Sequence, residues 1–199
     1  MLKYFLVRVD IMKKYFIGQF RFCDLITMCG TLSAVVGIML SIIGAEVTPF
    51  ILLFLCSIFD SIDGLFARRR KNTEFETTYG VELDSLSDMI SFGIFPVIIA
   101  LNTDGLNIMA FIIPIYVLCG LIRLAYFNTL NITKTNEKGY FRGVPITTIA
   151  FVYPLVYILH YINFDLYDYA EAILFSVMAV LFISNIKVKK PNIEKLFKK

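Results

Sequence analysis

Polar sequence is scarce in this chain. Only 18% of its 199 residues are charged and 58% are hydrophobic, whereas soluble domains are roughly 45–50% apolar. No stretch resembles a separate soluble domain, a long linker, an internal repeat or a low-complexity segment. These absences exclude a soluble multidomain protein and predict one integral membrane domain over residues 1–199.

Paired metal-ligand spacing is also missing among the cysteines. The four cysteines lie in or near apolar segments: Cys23, Cys29, Cys56 and Cys119. Disulfides are not expected, because the cytoplasmic side of a membrane is reducing and the rest of the chain is in lipid. We interpret these cysteines as packing residues.

Six apolar runs of about 20 residues are long enough to cross a bilayer as helices. They lie at 25–44, 48–68, 81–101, 106–128, 144–163 and 168–187. Residues 1–20 differ, because their apolar positions recur at helical spacing and Arg8 and Asp10 interrupt any signal-peptide core. The predicted fold is therefore an all-α integral membrane protein, with six transmembrane helices and an N-terminal interfacial amphipathic helix.

Positive charge is absent from three of the predicted loops. The loops near 45–48, 102–107 and 160–168 hold no Lys or Arg, and all 19 basic residues lie in segments 1–24, 68–80, 123–143 and 187–199. By the positive-inside rule, this bias places both termini in the cytoplasm. A net charge of +3 follows from this bias and from anionic lipid headgroups, so no nucleic-acid partner is expected.

Four aspartates, Asp60, Asp63, Asp84 and Asp88, stand near the edges of the second and third spans. Each carboxylate costs roughly 2.5–3.5 kcal/mol in a bilayer by insertion scales, so a group of four implies something that offsets its charge. At about 100° per residue, each helix carries its two aspartates on one face. A short loop makes the two spans antiparallel neighbours, and Asp60 and Asp88 both reach about 12 Å into the membrane. We expect the four carboxylates to converge on one cytoplasmic-side pocket.

Oxygen ligands of this kind favour Mg²⁺ or Mn²⁺, with Ca²⁺ as a further candidate. Four carboxylates can hold two ions, and two metals about 3.5–4 Å apart clamp a phosphoryl transfer. Gly64, Ala67 and Gly80 lie on the same faces as the aspartates and leave room for a nucleotide. The alternative is that these small residues serve helix packing.

Arginines near the acidic positions suggest a ligand with phosphate or carboxylate groups. Arg68 follows the second span, Arg123 lies inside the fourth, and Arg142 opens the fifth. A guanidinium grips such groups bidentately, although arginines near span ends also snorkel to the interface. Asp24 and Thr27 lie at the cytoplasmic start of the first span, level with the acidic positions. We expect both to contact the donor, and the alternative for Asp24 is that it caps the helix.

The spacing D-x2-D-G-x2-A-R-x11-G-x3-D-x3-D resembles the signature of the CDP-alcohol phosphatidyltransferases, and the resemblance covers all six spans. The matching positions are Asp60, Asp63, Gly64, Ala67, Arg68, Gly80, Asp84 and Asp88. The resemblance implies that the aspartates hold divalent metal, that the pocket binds the CDP moiety of a lipid donor, and that Asp88 is the general base. It places Arg68 near the phosphates and implies a homodimer.

Further segments resemble the phosphatidylserine synthase branch of that family. MISFGIFP follows Asp88, and RLAYFN and GYFRGVP come later, with Tyr126, Val144 and Cys23 departing from the usual pattern. The expected reaction joins L-serine to the lipid of CDP-diacylglycerol or CDP-archaeol. Arg123 or Arg142 would hold the serine carboxylate. The alternative is that either arginine binds the donor phosphate. Glycerol-3-phosphate or inositol-phosphate as acceptor is the alternative within the same chemistry.

A divalent-cation transporter is the alternative from another class, because intramembrane acids also bind permeating ions. Two features oppose it. The ionisable groups cluster in the cytoplasmic half with no matching polar path beyond, and arginines in the pocket would repel a cation.

Overall fold

The computed structural model describes residues 21–68, 73–103, 108–132, 140–162 and 164–189. The predicted amphipathic helix at 1–20 lies outside these residues. The chain forms two compact units, Met1–Gly105 and Leu106–Lys199.

The first unit carries the first three predicted spans. Its elements are α1 (Phe22–Ile42), α2 (Thr48–Arg68), α3 (Glu74–Asp88), a π-helical segment (Met89–Ile94) and α4 (Phe95–Thr103). Helix α1 packs along α2 and also contacts α3, the π-helical segment and α4. It therefore lies against both of the helices that carry the aspartates.

Small and polar residues line the buried face of α1. They are Asp24, Thr27, Gly30, Ala34, Gly37 and Ser41. The large apolar side chains of α1, including Leu32, Met39 and Ile42, are exposed. This arrangement suits a helix surrounded by lipid, where small residues let neighbouring backbones approach. The approach is close, because a Cβ on Gly30 would lie 3.2 Å from the Cβ of Phe59 on α2.

Helix α3 begins at Glu74, earlier than the span predicted from residue 81. A capping box fixes this start. The Glu76 backbone N–H donates to the Thr73 hydroxyl at 3.2 Å, and the Thr73 backbone N–H donates to Glu76 Oε2 at 3.0 Å. Hydropathy misses these first turns because they are polar, although the T-x-x-E pattern signals them.

The helix changes its winding directly after Asp88, where the π-helical segment Met89–Ile94 separates α3 from α4. Such wider turns are rare and occur often at functional sites. Hydropathy predicts regular helix over 81–101 and carries no signal for this segment.

The second unit carries the last three predicted spans. Its elements are α5 (Met109–Ile132), β1 (Tyr140–Arg142), a 3₁₀ turn (Ile146–Thr148), α6 (Ile149–Ile162), α7 (Phe164–Ile183) and β2 (Lys187–Lys189). The predicted fifth span, 144–163, starts too early, because Gly143 takes a φ of 72° and helix begins only beyond Pro145. The predicted sixth span, 168–187, starts and ends too late, since α7 occupies Phe164–Ile183.

The all-α fold class is confirmed, with one short strand pair in addition to the helices. Strands β1 and β2 pair antiparallel, with Phe141 opposite Val188. The Gly143 backbone N–H extends this connection by donating to the Ile186 carbonyl at 2.8 Å. Each strand has three residues, too few for a strand pattern to stand out from the flanking spans.

Aromatic side chains form the core of the second unit. The ring centroids of Tyr116 and Phe175 are 4.8 Å apart, and those of Tyr153 and Phe175 are 5.3 Å apart. Beside them the fully buried Glu171 accepts a hydrogen bond from the hydroxyl of Tyr153. This bond joins α6 to α7 inside the apolar core, where an unmade hydrogen bond is costly.

Four helical stretches of the described chain are long and apolar enough to cross a membrane: Phe22–Ile42, Thr48–Phe66, Glu74–Asn102 and Met109–Leu130. Two further apolar stretches, Ile146–Leu159 and Tyr169–Ile183, are shorter. The protein is thus a helical membrane protein, and the count of six spans stays a prediction.

Candidate metal and nucleotide site

Three of the four aspartates come together between α2 and α3. Asp60, Asp84 and Asp88 each offer a carboxylate oxygen, and these oxygens lie within 4.8 Å of one another. All three side chains are half-buried. An all-oxygen set of this kind is the donor chemistry that Mg²⁺ and Mn²⁺ prefer.

The fourth aspartate, Asp63, is hydrogen-bonded to α1. Its Oδ2 accepts a bond of 2.5 Å from the hydroxyl of Thr27 on α1, and its side chain is only 4% exposed. All four aspartates nevertheless line one small cavity, together with Thr27 and Ser87. The helical spacing read from the sequence thus does direct the four carboxylates to one place.

A second contact fixes α3 against α1. The hydroxyls of Thr31 and Ser87 are 2.6 Å apart and share a hydrogen bond. Together with the bond between Thr27 and Asp63, it ties the first helix to both acid-bearing helices. The position of the carboxylates therefore depends on polar side chains of α1 as well as on their own helices.

A larger cavity of about 190 Å³ adjoins the acidic one. Thr27, Asp63 and Asp84 line both cavities. The remaining residues around the larger cavity are Arg21, Cys23, Asp24, Gly64, Thr77, Gly80 and Val81. Four of the positions assigned to the donor from sequence, Asp24, Thr27, Gly64 and Gly80, thus face one space beside the acids. We refer to this space as the donor cavity.

Asp24 forms an ion pair with Arg21 inside the donor cavity. Arg21 Nη2 donates to Asp24 Oδ1 at 2.7 Å and Nε donates to Oδ2 at 2.9 Å. The Arg21 backbone N–H also points to Oδ2, at 3.3 Å, so that Asp24 satisfies the start of α1. The bond to Asp24 raises the pKa of the Arg21 guanidinium, which therefore keeps its charge.

In the sequence, Arg21 is predicted only as one of the cytoplasmic positive charges. Its spacing from Asp24, i to i+3 at the start of a helix, is the signal that would have found it. The helical pattern gave no reason to prefer it over the other basic residues near the N-terminus.

Ala67 and Arg68 close α2, within its last turn, and the structure describes their backbone only. Arg142 lies in β1 opposite Lys187, and its side chain is likewise outside the description. Their assignments to donor, phosphate or acceptor stay predictions.

Arg123 lies on α5 in the second unit and is buried, with 8% of its side chain exposed. Its guanidinium carbon is 4.7 Å from the centroid of the Phe127 ring, a cation–π contact. It lines a cavity of about 300 Å³ that also includes Tyr126, Ser184 and Asn185. This burial favours a ligand or packing role over snorkelling to the interface.

Comparison with known proteins assigns the chain to a family. A sequence model of the CDP-alcohol phosphatidyltransferases matches residues 20–184. The archaetidylserine synthase of Methanothermobacter thermautotrophicus is 34% identical over 168 residues, which cover 82% of this chain and 67% of that protein. The CDP-diacylglycerol–serine O-phosphatidyltransferase of Methanocaldococcus jannaschii is 37% identical over 170 residues, or 85% of this chain and 74% of that protein. The protein of the same name from Saccharomyces cerevisiae is 40% identical over 119 residues, or 54% of this chain and 40% of the relative.

Proposed function

Because this chain belongs to the CDP-alcohol phosphatidyltransferase family, we propose that it transfers the phospholipid group of a CDP-linked lipid to the hydroxyl of L-serine and releases CMP. The observation that carries the proposal is the cluster of Asp60, Asp84 and Asp88, within 4.8 Å of one another, beside the donor cavity. An acidic centre next to a space lined by glycines suits a diphosphate held by metal.

The carboxylates fit a divalent ion by their chemistry and spacing. Asp60, Asp84 and Asp88 would hold the metal, Mg²⁺ or Mn²⁺, and Asp63, which lines the same cavity, completes the acidic set. Four carboxylates are enough for two ions, with Ca²⁺ as a further candidate. When bound, the metal would neutralise the diphosphate and make its phosphorus more electrophilic.

The chain's own residues position the reactants and move one proton. Asp88 accepts the proton of the serine hydroxyl, and the serine oxygen forms a bond to the lipid-side phosphorus. The bond between this phosphorus and the oxygen that bridges to CMP breaks, and CMP leaves with that oxygen. Arg68 stabilises the charge that develops on the leaving phosphate, and no covalent enzyme intermediate is needed.

Gly64 and Gly80 line the donor cavity, and in this proposal they leave room for the nucleotide. Ala67 is assigned the same role from its spacing in the sequence alone. Thr27 and Asp24 hold the cavity wall on the side of α1. The lipid tails would lie against apolar surface that does not distinguish ester from ether linkages. Both CDP-diacylglycerol and CDP-archaeol therefore fit the proposal as donors.

Serine is the proposed acceptor because the similar proteins of known name act on serine or make archaetidylserine. A buried guanidinium suits the serine carboxylate, and Arg123, with 8% exposure, meets that description. Arg142 is the second candidate. Glycerol-3-phosphate and inositol-phosphate would require the same arginines and are the acceptors to compare.

The topology completes the proposal. We assign six membrane spans, with α6 and α7 as the fifth and sixth, and place both termini and the aspartates on the cytoplasmic side by the distribution of Lys and Arg. Soluble serine then reaches the site from the cytoplasm. We also expect two copies of the chain to associate, as the family resemblance implies. Light scattering on the detergent-solubilised protein would give the mass that checks this expectation.

The direct test uses purified protein in detergent with a CDP-linked lipid, Mg²⁺ or Mn²⁺ and one acceptor at a time. CMP release that requires serine, and that glycerol-3-phosphate and inositol-phosphate do not elicit, is the expected result. Release with one of the other acceptors and not with serine would refute serine while keeping the chemistry. Metal uptake into vesicles without CMP release under any acceptor would point to the transporter instead.

A further inference from the structure

The side chain of Arg21 lies in a slot between Asp24 and Gly80. Two hydrogen bonds, of 2.7 and 2.9 Å, fix its guanidinium on the Asp24 carboxylate. Both side chains are buried, with exposures of 8% for Arg21 and 3% for Asp24. The guanidinium therefore forms part of the cavity wall, where Asp24 pairs its charge.

Gly80 on α3 faces this guanidinium directly. A Cβ placed on Gly80 would overlap Arg21 Nη2 and would lie 3.4 Å from its Cζ. Relief of this overlap would require the guanidinium to shift, which would lengthen or break its hydrogen bonds to Asp24. Arg21 thus occupies the space that the absence of a side chain at Gly80 leaves open.

Arg21 lines the donor cavity but not the acidic cavity beside it. The phosphates of a bound donor would lie toward the metal-binding carboxylates. Two aspartates, Asp63 and Asp84, line both cavities and mark where they meet. The part of the donor cavity lined only by its own residues would then face the rest of the nucleotide. Since Asp24 offsets its charge, Arg21 offers directed N–H groups there rather than net positive charge.

We propose that Arg21 contacts the nucleotide of the CDP-linked donor. We propose also that residue 80 is glycine because a larger side chain there would displace the Arg21 guanidinium from this contact. This inference rests on the proposed function, since it takes the donor to be a cytidine nucleotide. It differs from the sequence-based reading of Gly80, in which the glycine makes room for the nucleotide itself.

A double-mutant cycle separates the two readings. The full-length protein, the Arg21→Ala and Gly80→Ala variants and the double variant are titrated with CMP and Mg²⁺ by calorimetry, without acceptor. Arg21→Ala should weaken CMP binding about tenfold, as expected for the loss of a hydrogen bond from a charged donor. Gly80→Ala should weaken it by a similar factor in the wild-type background, and by less than about twofold when Arg21 is already alanine.

Thr78→Ala is the matched control on α3. Thr78 is exposed, and its hydroxyl bonds only the Glu74 carbonyl of its own helix among the contacts seen. CMP affinity should not change in this variant. Arg21→Lys, which keeps the charge but loses the fork that grips Asp24, provides a second variant in case Arg21→Ala does not fold, and it should also weaken CMP binding.

Two outcomes would overturn the inference. If Gly80→Ala costs the same in both backgrounds, the glycine admits the nucleotide directly. If the Arg21 variants lower the melting temperature but bind CMP as the wild type does, the pair with Asp24 only caps α1. Serine-dependent CMP release by the wild type is measured separately, so failure here leaves the proposed function standing.

Discussion

Thr27 on α1 and Asp63 on α2 are joined by a hydrogen bond of 2.5 Å between the threonine hydroxyl and the aspartate carboxylate. Both side chains are buried and line the two adjoining cavities of the first unit. The bond orients the Asp63 carboxylate toward α1. It gives the first span a share in organising the acidic site.

Replacing Thr27 with valine keeps the shape of the side chain and removes this bond. We expect turnover to fall about tenfold, because a hydrogen bond to a charged group contributes about 1.5–3 kcal/mol. The measurement is CMP release at saturating serine. Thr129→Val is the control, since Thr129 is exposed on α5 and its hydroxyl bonds the Ala125 carbonyl. Equal activity of the Thr27 variant and the wild type would show that Asp63 needs no such orientation.

Replacing Asp88 with asparagine tests the proposed base. Turnover should drop by at least about a hundredfold, the usual contribution of a general base. CMP binding should stay within a few-fold when Mg²⁺ is saturating, because Asp60 and Asp84 would still hold the metal. Glu82→Gln is the matched control, because Glu82 is an exposed acid on the same helix. Substantial residual turnover in the Asp88 variant would move the base to another group.

Metal removal tests the acidic cluster as a whole. Dialysis against EDTA should abolish CMP release, and Mg²⁺ or Mn²⁺ should restore it, because the oxygen ligands of Asp60, Asp84 and Asp88 match these ions. Asp60→Asn and Asp84→Asn should raise the metal concentration needed for half-maximal activity. Full activity in EDTA would exclude the assignment of these carboxylates to a metal.

Arg123 tests the choice of acceptor. If it holds the serine carboxylate, Arg123→Lys should raise the KM for serine about tenfold or more and leave the KM for the CDP-linked lipid nearly unchanged. An increase confined to the lipid KM would assign Arg123 to donor phosphate. No change in either constant would leave its cation–π contact with Phe127 as a packing interaction.

The buried pair in the second unit is expected to matter for stability. Tyr153→Phe removes the donor that Glu171 accepts from, inside a core where Glu171 is fully buried. The cost should be about 1–3 kcal/mol, seen as a lower melting temperature. Glu171→Gln retains an acceptor for the tyrosine and should cost less. Tyr169→Phe is the control, because Tyr169 is exposed and lies on α7 with Glu171. An equal loss of stability in that variant would show that the buried pair has no special role.

Much of the first unit could be predicted from the sequence. Long apolar runs locate helices because a bilayer demands about 20 such residues, and the helical repeat directs Asp60, Asp84 and Asp88 to one side. The family expectation, which rested on the spacing of these residues, is confirmed by the match over residues 20–184. The helix positions and the spacing of the aspartates both follow from local periodicity, which a single sequence contains.

Other features depend on contacts that periodicity does not encode. The contact between Arg21 and Gly80 joins residues far apart in the chain. Gly80 matches the family signature, but nothing in the signature points to Arg21. The pairing of β1 with β2 connects segments on either side of α6 and α7. The early start of α3 is a different case, because the T-x-x-E pattern of Thr73 and Glu76 can be read from the sequence but hydropathy does not register it.

The π-helical segment that follows Asp88 has a consequence for how this helix tolerates change. A wider turn alters the angular relation between the residues before it and those after it, so the aspartates of α3 and the buried Phe95 of α4 are kept in a phase that a regular α-helix would not give. Because i→i+5 bonding turns the chain less per residue, this segment takes about one residue more than an α-helix needs for the same rotation. Loss of one residue between 89 and 94 would therefore return the segment to regular α-helix and keep the two flanking faces nearly in phase. The same loss inside α3 would turn the two faces against each other by about 100°, so the chain should tolerate a deletion in the wider turn far better than one in α3.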